Sequence, residues 1–154
     1  MHLYLRAMVP KLRLSGVRPA PLSEEGSIHL DPRICWAMEL REFERVEVHN
    51  VTRCLRFAAH VRFGREGDAV VTQATGPLMQ RGDTLRLSAV AWRPSEKRHS
   101  ALLVLVDEGN APREIRRVIA RMADLDPVSF PLPAAIEHVT RIAPAVLPLL
   151  EATD

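Results

Sequence analysis

A mainly β core carrying small helices is the fold class this sequence predicts, on three observations. Residues 55–63 alternate strictly, with Leu55, Phe57, Ala59, Val61 and Phe63 set against Arg56, Ala58, His60 and Arg62. That period of two is the pattern of a strand with one buried face, and it puts Arg56 and His60 on the same polar side. Residues 101–106 form a continuous apolar run, Ala-Leu-Leu-Val-Leu-Val, which suits a strand buried on both faces. Twelve prolines and seven glycines cut the remainder into short elements joined by turns.

Taken along the chain, strands are expected at 3–9, 28–30, 45–51, 55–63, 69–73, 84–91 and 101–106. Arg81-Gly82-Asp83 reads as the turn feeding the sixth of these. A short helix is expected at 34–41, with Asp31 either ending the strand before it or capping it. A second helix is expected at 112–124. There Ile115, Val118, Ile119 and Met122 make an apolar stripe, Arg113, Arg116, Arg117 and Arg121 lie elsewhere, and Asn110 is the cap. A domain boundary at Asp124 divides a 1–124 body from a 125–154 tail. The tail is expected to turn helical from about Ala134, with Pro144 and Pro148 limiting its length.

Composition narrows the function. Lys plus Arg total 21 against 19 Asp plus Glu, a net charge of +2, which is too small a field for gripping a nucleic-acid backbone. No apolar run approaches the ~20 residues of a membrane span. The N-terminus lacks the layout of a secretory signal, so a cytoplasmic location is expected. Cys35 and Cys54 are too few for a metal site and read as buried thiols that pack. The six histidines show no metal-ligand spacing, and phosphate-cradling and nucleophile-elbow motifs are missing. Chemistry without a metal or a nucleotide is favoured.

The informative segment is Glu24-Glu25-Gly26-Ser27-Ile28-His29-Leu30-Asp31, where a Gly-Ser pair joins a polar loop to a strand. Lys11 lies sixteen residues before Ser27 and Arg56 twenty-nine after it. These residues, with Leu12, Asp31, Asn50-Val51-Thr52, Phe57, Gly82-Asp83 and the stretch from Pro94 through Leu102-Leu103-Val104 to Gly109-Asn110, resemble the pyruvoyl-dependent aspartate 1-decarboxylase family over about residues 1–117.

The resemblance implies a double-psi β-barrel assembled as a homotetramer with active sites between subunits. It implies self-cleavage between Gly26 and Ser27, into pieces of 26 and 128 residues. Glycine lets the backbone take a strained conformation that opens its carbonyl to the Ser27 hydroxyl. Elimination and hydrolysis then leave a pyruvoyl group at position 27, the cofactor, which captures the substrate amine and accepts the electrons released with carbon dioxide. The implied substrate is a small amino acid, L-aspartate giving β-alanine, with Lys11 and Arg56 contacting it and Thr75 and Gly76 bordering its pocket.

The chain departs from the family at several points. The family's Thr-Tyr pair is Ala59-His60 here, its tyrosine before the glycine is Glu24, a histidine after the lysine is Arg13, and its Asn-Gly-Ala-Ala segment is the shorter 74–77. His60 is either a replacement for the tyrosine as proton donor, since an unperturbed imidazole titrates near pH 6.5, or only a polar residue on a half-exposed strand. Two alternatives therefore stand beside the first reading. One is a decarboxylase of another amino acid using His60 as its acid. The other is an unprocessed barrel with a binding or regulatory role. A maturation factor is a further candidate partner, whereas no nucleic acid, membrane or metal is expected.

Overall fold

A computed structural model describes residues 2–20, 26–73, 78–93, 99–120 and 136–141. Their elements run β1 (His2–Arg13), β2 (Gly16–Arg18), β3 (Ser27–Leu30), α1 (Pro32–Ala37), β4 (Arg45–Asn50), β5 (Leu55–Phe63), β6 (Ala69–Thr72), β7 (Thr84–Arg93), β8 (His99–Val106), β9 (Pro112–Ala120) and β10 (Ile136–Arg141). The strands join in the order β10-β9-β8-β1-β7-β4-β5-β3-β6-β2. Only Leu14 and Ser15 separate β1 from β2, so one continuous stretch of backbone supplies both ends of the run β1-β7-β4-β5-β3-β6-β2. Leu14 N–H donates to the Asp83 carbonyl at 2.8 Å and Ser15 N–H to the Ala69 carbonyl at 2.9 Å, which closes that run into a barrel. Parallel pairs (β1/β8, β2/β6, β3/β5) are mixed with antiparallel ones, in keeping with the barrel expected.

The alternation in β5 does what its period dictates. Ala59 and Val61 are fully buried, Arg56 is exposed and His60 half-buried. The main core gathers Val9, Leu12, Leu14, Ile28, Leu30, Val46, Val48, Leu85 and Leu87 inside the barrel, with α1 packed against it. The apolar run in β8 is covered on both sides, because Leu102 and Val104 enter that core while Ala101 and Leu103 join a second cluster with Leu5, Met8 and Val118. Asp31 caps α1, its Oδ1 accepting from Arg33 N–H at 2.8 Å, and Pro32 supplies a pre-set φ in the first turn. Gly82 turns the chain before β7 with φ 94°, a conformation that favours glycine.

Several expectations are overturned. The helix expected at 112–124 is β9 as far as Ala120, and residues 121–124 lie outside the described set. Ile115 and Val118, spaced like a helical stripe, instead enter opposite clusters, which a strand with both faces covered allows. Its antiparallel pairing with β8 also satisfies the backbone of that buried strand. Asn110 caps no helix. It sits at φ 63° and ties the loop to the barrel, its amide donating to the Arg13 and Gly67 carbonyls at 2.8 and 3.0 Å.

Of the tail expected to be helical, only Ile136–Arg141 is described, and it is strand. β9 offers an open edge and the segment holds the β-branched residues Ile136, Val139 and Thr140, so pairing prevails over the helical reading. The boundary at Asp124 lies outside the described residues. Cys35 is buried as expected, but Cys54 is exposed, at φ 57° in the turn between β4 and β5. The short helix ends at Ala37 rather than residue 41.

Candidate active site

The scissile pair of the sequence reading sits where three strands meet. Gly26 immediately precedes β3, which runs parallel to β5 and antiparallel to β6. The register sets Ser27 opposite His60 on one side and opposite Thr72 on the other, so all three side chains share the outer face of the barrel. The Gly26 carbonyl accepts a hydrogen bond from His60 N–H at 3.0 Å. Such a donor polarises the carbonyl and is aimed at the oxygen where charge collects if a nucleophile adds to its carbon.

Glycine is needed at 26 for a reason other than the strain expected. Among the described residues the left-handed glycines are Gly67 and Gly82, not Gly26. The constraint is closeness: a Cβ on Gly26 would lie 3.0 Å from the Thr72 carbonyl oxygen and 3.3 Å from Gln73 Cγ. Ala59, at the position of the resembling family's threonine, is fully buried in the main core and brings no hydroxyl to the site. Thr72 is the hydroxyl beside Ser27, and Gln73 carries a buried Oε1 with no hydrogen-bond partner. Sequence reasoning missed both, because cross-strand register is not written in local patterns.

Arg56 lies four residues before His60 on the same face of β5, roughly 13 Å along the strand. Its partner across β4 is His49, and the next partner, on β7, is Arg86. Burial lowers the His49 imidazole below its ordinary pKa, and the positive charges of Arg56 and Arg86 lower it further. Beyond Arg86, the pairing of Val9 with Leu87 and of Leu12 with Leu85 leaves Pro10 and Lys11 as a bulge on β1. Lys11 lines a shallow cavity of about 210 Å³ that also carries Arg13, Asp107 and Glu108.

The structure therefore brings Gly26, Ser27 and His60 together, and separately aligns Arg56 with His49 and Arg86. It does not bring Lys11 to Ser27. Round the closed barrel Ser27 is level with Thr72 and, beyond it, with Arg18, and Lys11 lies seven residues before Arg18, roughly 23 Å along that stretch of backbone. Thr75 and Gly76 lie outside the described residues. Among the described residues no three His, Cys, Asp or Glu side chains are grouped to hold a metal. None of their helices is long and apolar enough to cross a membrane.

Residues 3–113 match the family model for aspartate decarboxylase. An aspartate 1-decarboxylase of Hydrogenobaculum sp. (strain Y04AAS1) is 32% identical over 115 residues, covering 73% of this chain and 90% of that protein. One from Pyrobaculum islandicum is 33% identical over 118 residues, covering 77% and 95%. One from Bordetella pertussis is 33% identical over 111 residues, covering 70% and 91%.

Proposed function

The chain belongs to the aspartate decarboxylase family, and from that premise we propose that it is a pyruvoyl-dependent α-decarboxylase of an acidic amino acid, converting L-aspartate to β-alanine and carbon dioxide. The observation that carries the reading is the Gly26 carbonyl, held at 3.0 Å by His60 N–H next to the Ser27 hydroxyl.

Self-cleavage uses this chain's own groups. Ser27 Oγ adds to the Gly26 carbonyl carbon, His60 N–H stabilises the oxyanion, and collapse breaks the C–N bond to leave an ester. Loss of the Ser27 α-proton expels the Gly26 carboxylate, and water then replaces the enamine nitrogen at position 27, which leaves as ammonia. The half-buried Ser27, next to the hydrogen-bonded Gly26 carbonyl, fits a small planar group at this point. The pyruvoyl carbonyl supplies capture of an amine and a sink for the electrons freed as carbon dioxide leaves.

The rest of the site serves the substrate. Arg56 holds a carboxylate in its guanidinium fork. Ala58, between Arg56 and His60 on that face, leaves room for a small molecule, and His60 delivers the proton to the former α-carbon. Thr75 and Gly76 border the pocket. Lys11 completes it from a second copy of the chain, because in its own chain it lies seven residues along the strand from the level of Ser27. That geometry supports a homo-oligomer, with a tetramer as the assembly proposed.

Intact mass of the purified protein tests the reading: pieces of 26 and 128 residues, together with carbon dioxide released from aspartate, are expected. A full-length chain that nevertheless decarboxylates aspartate sinks the pyruvoyl chemistry. A full-length chain with no release favours a second reading, an unprocessed binding barrel, for which the buried Ala59 in place of a hydroxyl speaks.

A further inference from the structure

α1 closes in a way its sequence does not favour. Leu40 N–H donates to the Cys35 carbonyl at 2.8 Å, and Glu39 N–H to the Trp36 carbonyl at 3.1 Å. In that paired closure the residue after the cap turns left-handed, and the place usually falls to glycine because a Cβ is crowded there. Here it is Glu39, at φ 56°. A negative charge at the C-terminal end of a helix is also the unfavourable sign. Arg6 Nη1 donates to the Glu39 carbonyl at 3.2 Å and Nη2 pairs with Glu44, so neither answers the Glu39 carboxylate. Among the described residues that carboxylate is in no ion pair. A strained backbone that the fold does not require is a mark of function.

Glu39 lines a cavity of about 530 Å³ between α1 and the strands β8 and β9. Leu40, Leu102 and Ile115, all buried, give it an apolar wall, with the exposed Trp36 beside them. Arg117, exposed on β9, is the cation of the lining. Its Nη1 donates to Ser100 Oγ at 2.9 Å, and it is paired neither with Glu39 nor with any other acid among the described residues. We propose that this cavity binds a zwitterionic α-amino acid with an apolar side chain, its ammonium on Glu39 and its carboxylate on Arg117. A small concave space with an apolar wall and a few polar groups is the usual form of a small-molecule site. The two charges fix the class, since a plain amine leaves Arg117 unanswered and a plain carboxylate leaves Glu39 so. None of these residues belongs to the site around Ser27, so the proposal goes beyond the decarboxylase reading and does not depend on it.

The test uses full-length protein carrying Ser27→Ala, which makes no pyruvoyl group to capture an amine. It is titrated calorimetrically with leucine, with isopentylamine (leucine without its carboxylate), with isocaproate (leucine without its amine) and with glycine. Leucine is expected to bind about tenfold or more tightly than each of the others. Glu39→Gln is expected to remove about that factor for leucine and to leave isocaproate within about twofold. Arg117→Gln is expected to weaken leucine by a similar factor and to leave isopentylamine within about twofold. Arg65→Gln, an equal loss of charge on an exposed loop, should change leucine binding less than about twofold. Glu39→Gly is expected to raise the melting temperature while losing leucine, so that loss of binding is separated from loss of fold. Leucine bound no more tightly than glycine or either analogue, or an equal effect of Arg65→Gln, overturns the proposal. Leucine affinity that falls as protein concentration rises means that a second copy of the chain fills the cavity, and overturns it as well.

Discussion

Replacing Gly26 with alanine separates close approach from backbone strain as the reason for a glycine at the proposed cleavage point. The new Cβ would meet the Thr72 carbonyl oxygen at 3.0 Å, roughly 0.4 Å inside ordinary contact, and Gln73 Cγ at 3.3 Å. The side chain can turn aside, but the carbonyl belongs to β6 and cannot retreat without disturbing its pairing with β3. Overpacking of this kind costs about 1–3 kcal/mol. Relief of the clash pushes Gly26 away from β6 and disturbs the 3.0 Å bond from His60 N–H. The expected outcome is a lower urea midpoint and loss of the 26- and 128-residue pieces. Ser27→Ala, which adds no atom, should block cleavage while leaving the midpoint within about 0.5 kcal/mol of an uncleaved reference. Gly26→Ala protein with an unchanged midpoint and normal cleavage would refute the contact argument.

Thr72→Val keeps the shape of the side chain but removes the hydroxyl beside Ser27. It should slow self-cleavage about tenfold or more with little effect on a thermal melt, as followed by time-resolved mass spectrometry. Removing either Arg56 or Arg86 as alanine should raise the His49 pKa toward its ordinary value, because each arginine now depresses it, and proton NMR titration of the imidazole reads the shift. Burial would raise the Asp83 carboxyl, but hydrogen bonds from Asn50, Gln80 N–H and Arg53, with the charge of Arg53, outweigh it and hold the pKa low. Its stabilising contribution is therefore present above the unfolded-state value and lost as pH falls through the lower folded value. Asp83→Asn should cost about 1–3 kcal/mol in urea at neutral pH and flatten that acid dependence.

What the sequence made legible was whatever depends on local period or local turn chemistry. β5 was bounded correctly because its alternation is strict, β8 was read as doubly buried because nothing polar interrupts it, and Asp31 and Gly82 do the capping and turning expected of them. β9 has a helical look in the sequence because Ile115 and Val118 satisfy a helical spacing, and only the presence of two apolar clusters on either side distinguishes the alternatives. β2 is three residues long and exists because β6 needs a partner. The Gly26-Ser27 pair, Arg56 and His60 stood out in the sequence. Their neighbours Thr72, Gln73, His49 and Arg86 did not, since each owes its place to strand register across long separations.

A chain cut after Gly26 does not become two bodies. The short piece would keep β1 laced between β7 and β8 and β2 laid along β6, so its departure requires pulling the whole barrel apart. If cut there, the protein would be in effect a split protein. Once denatured, such a cut protein would have to reassemble from two separate molecules, and its recovery would depend on concentration in a way that an uncut chain's does not.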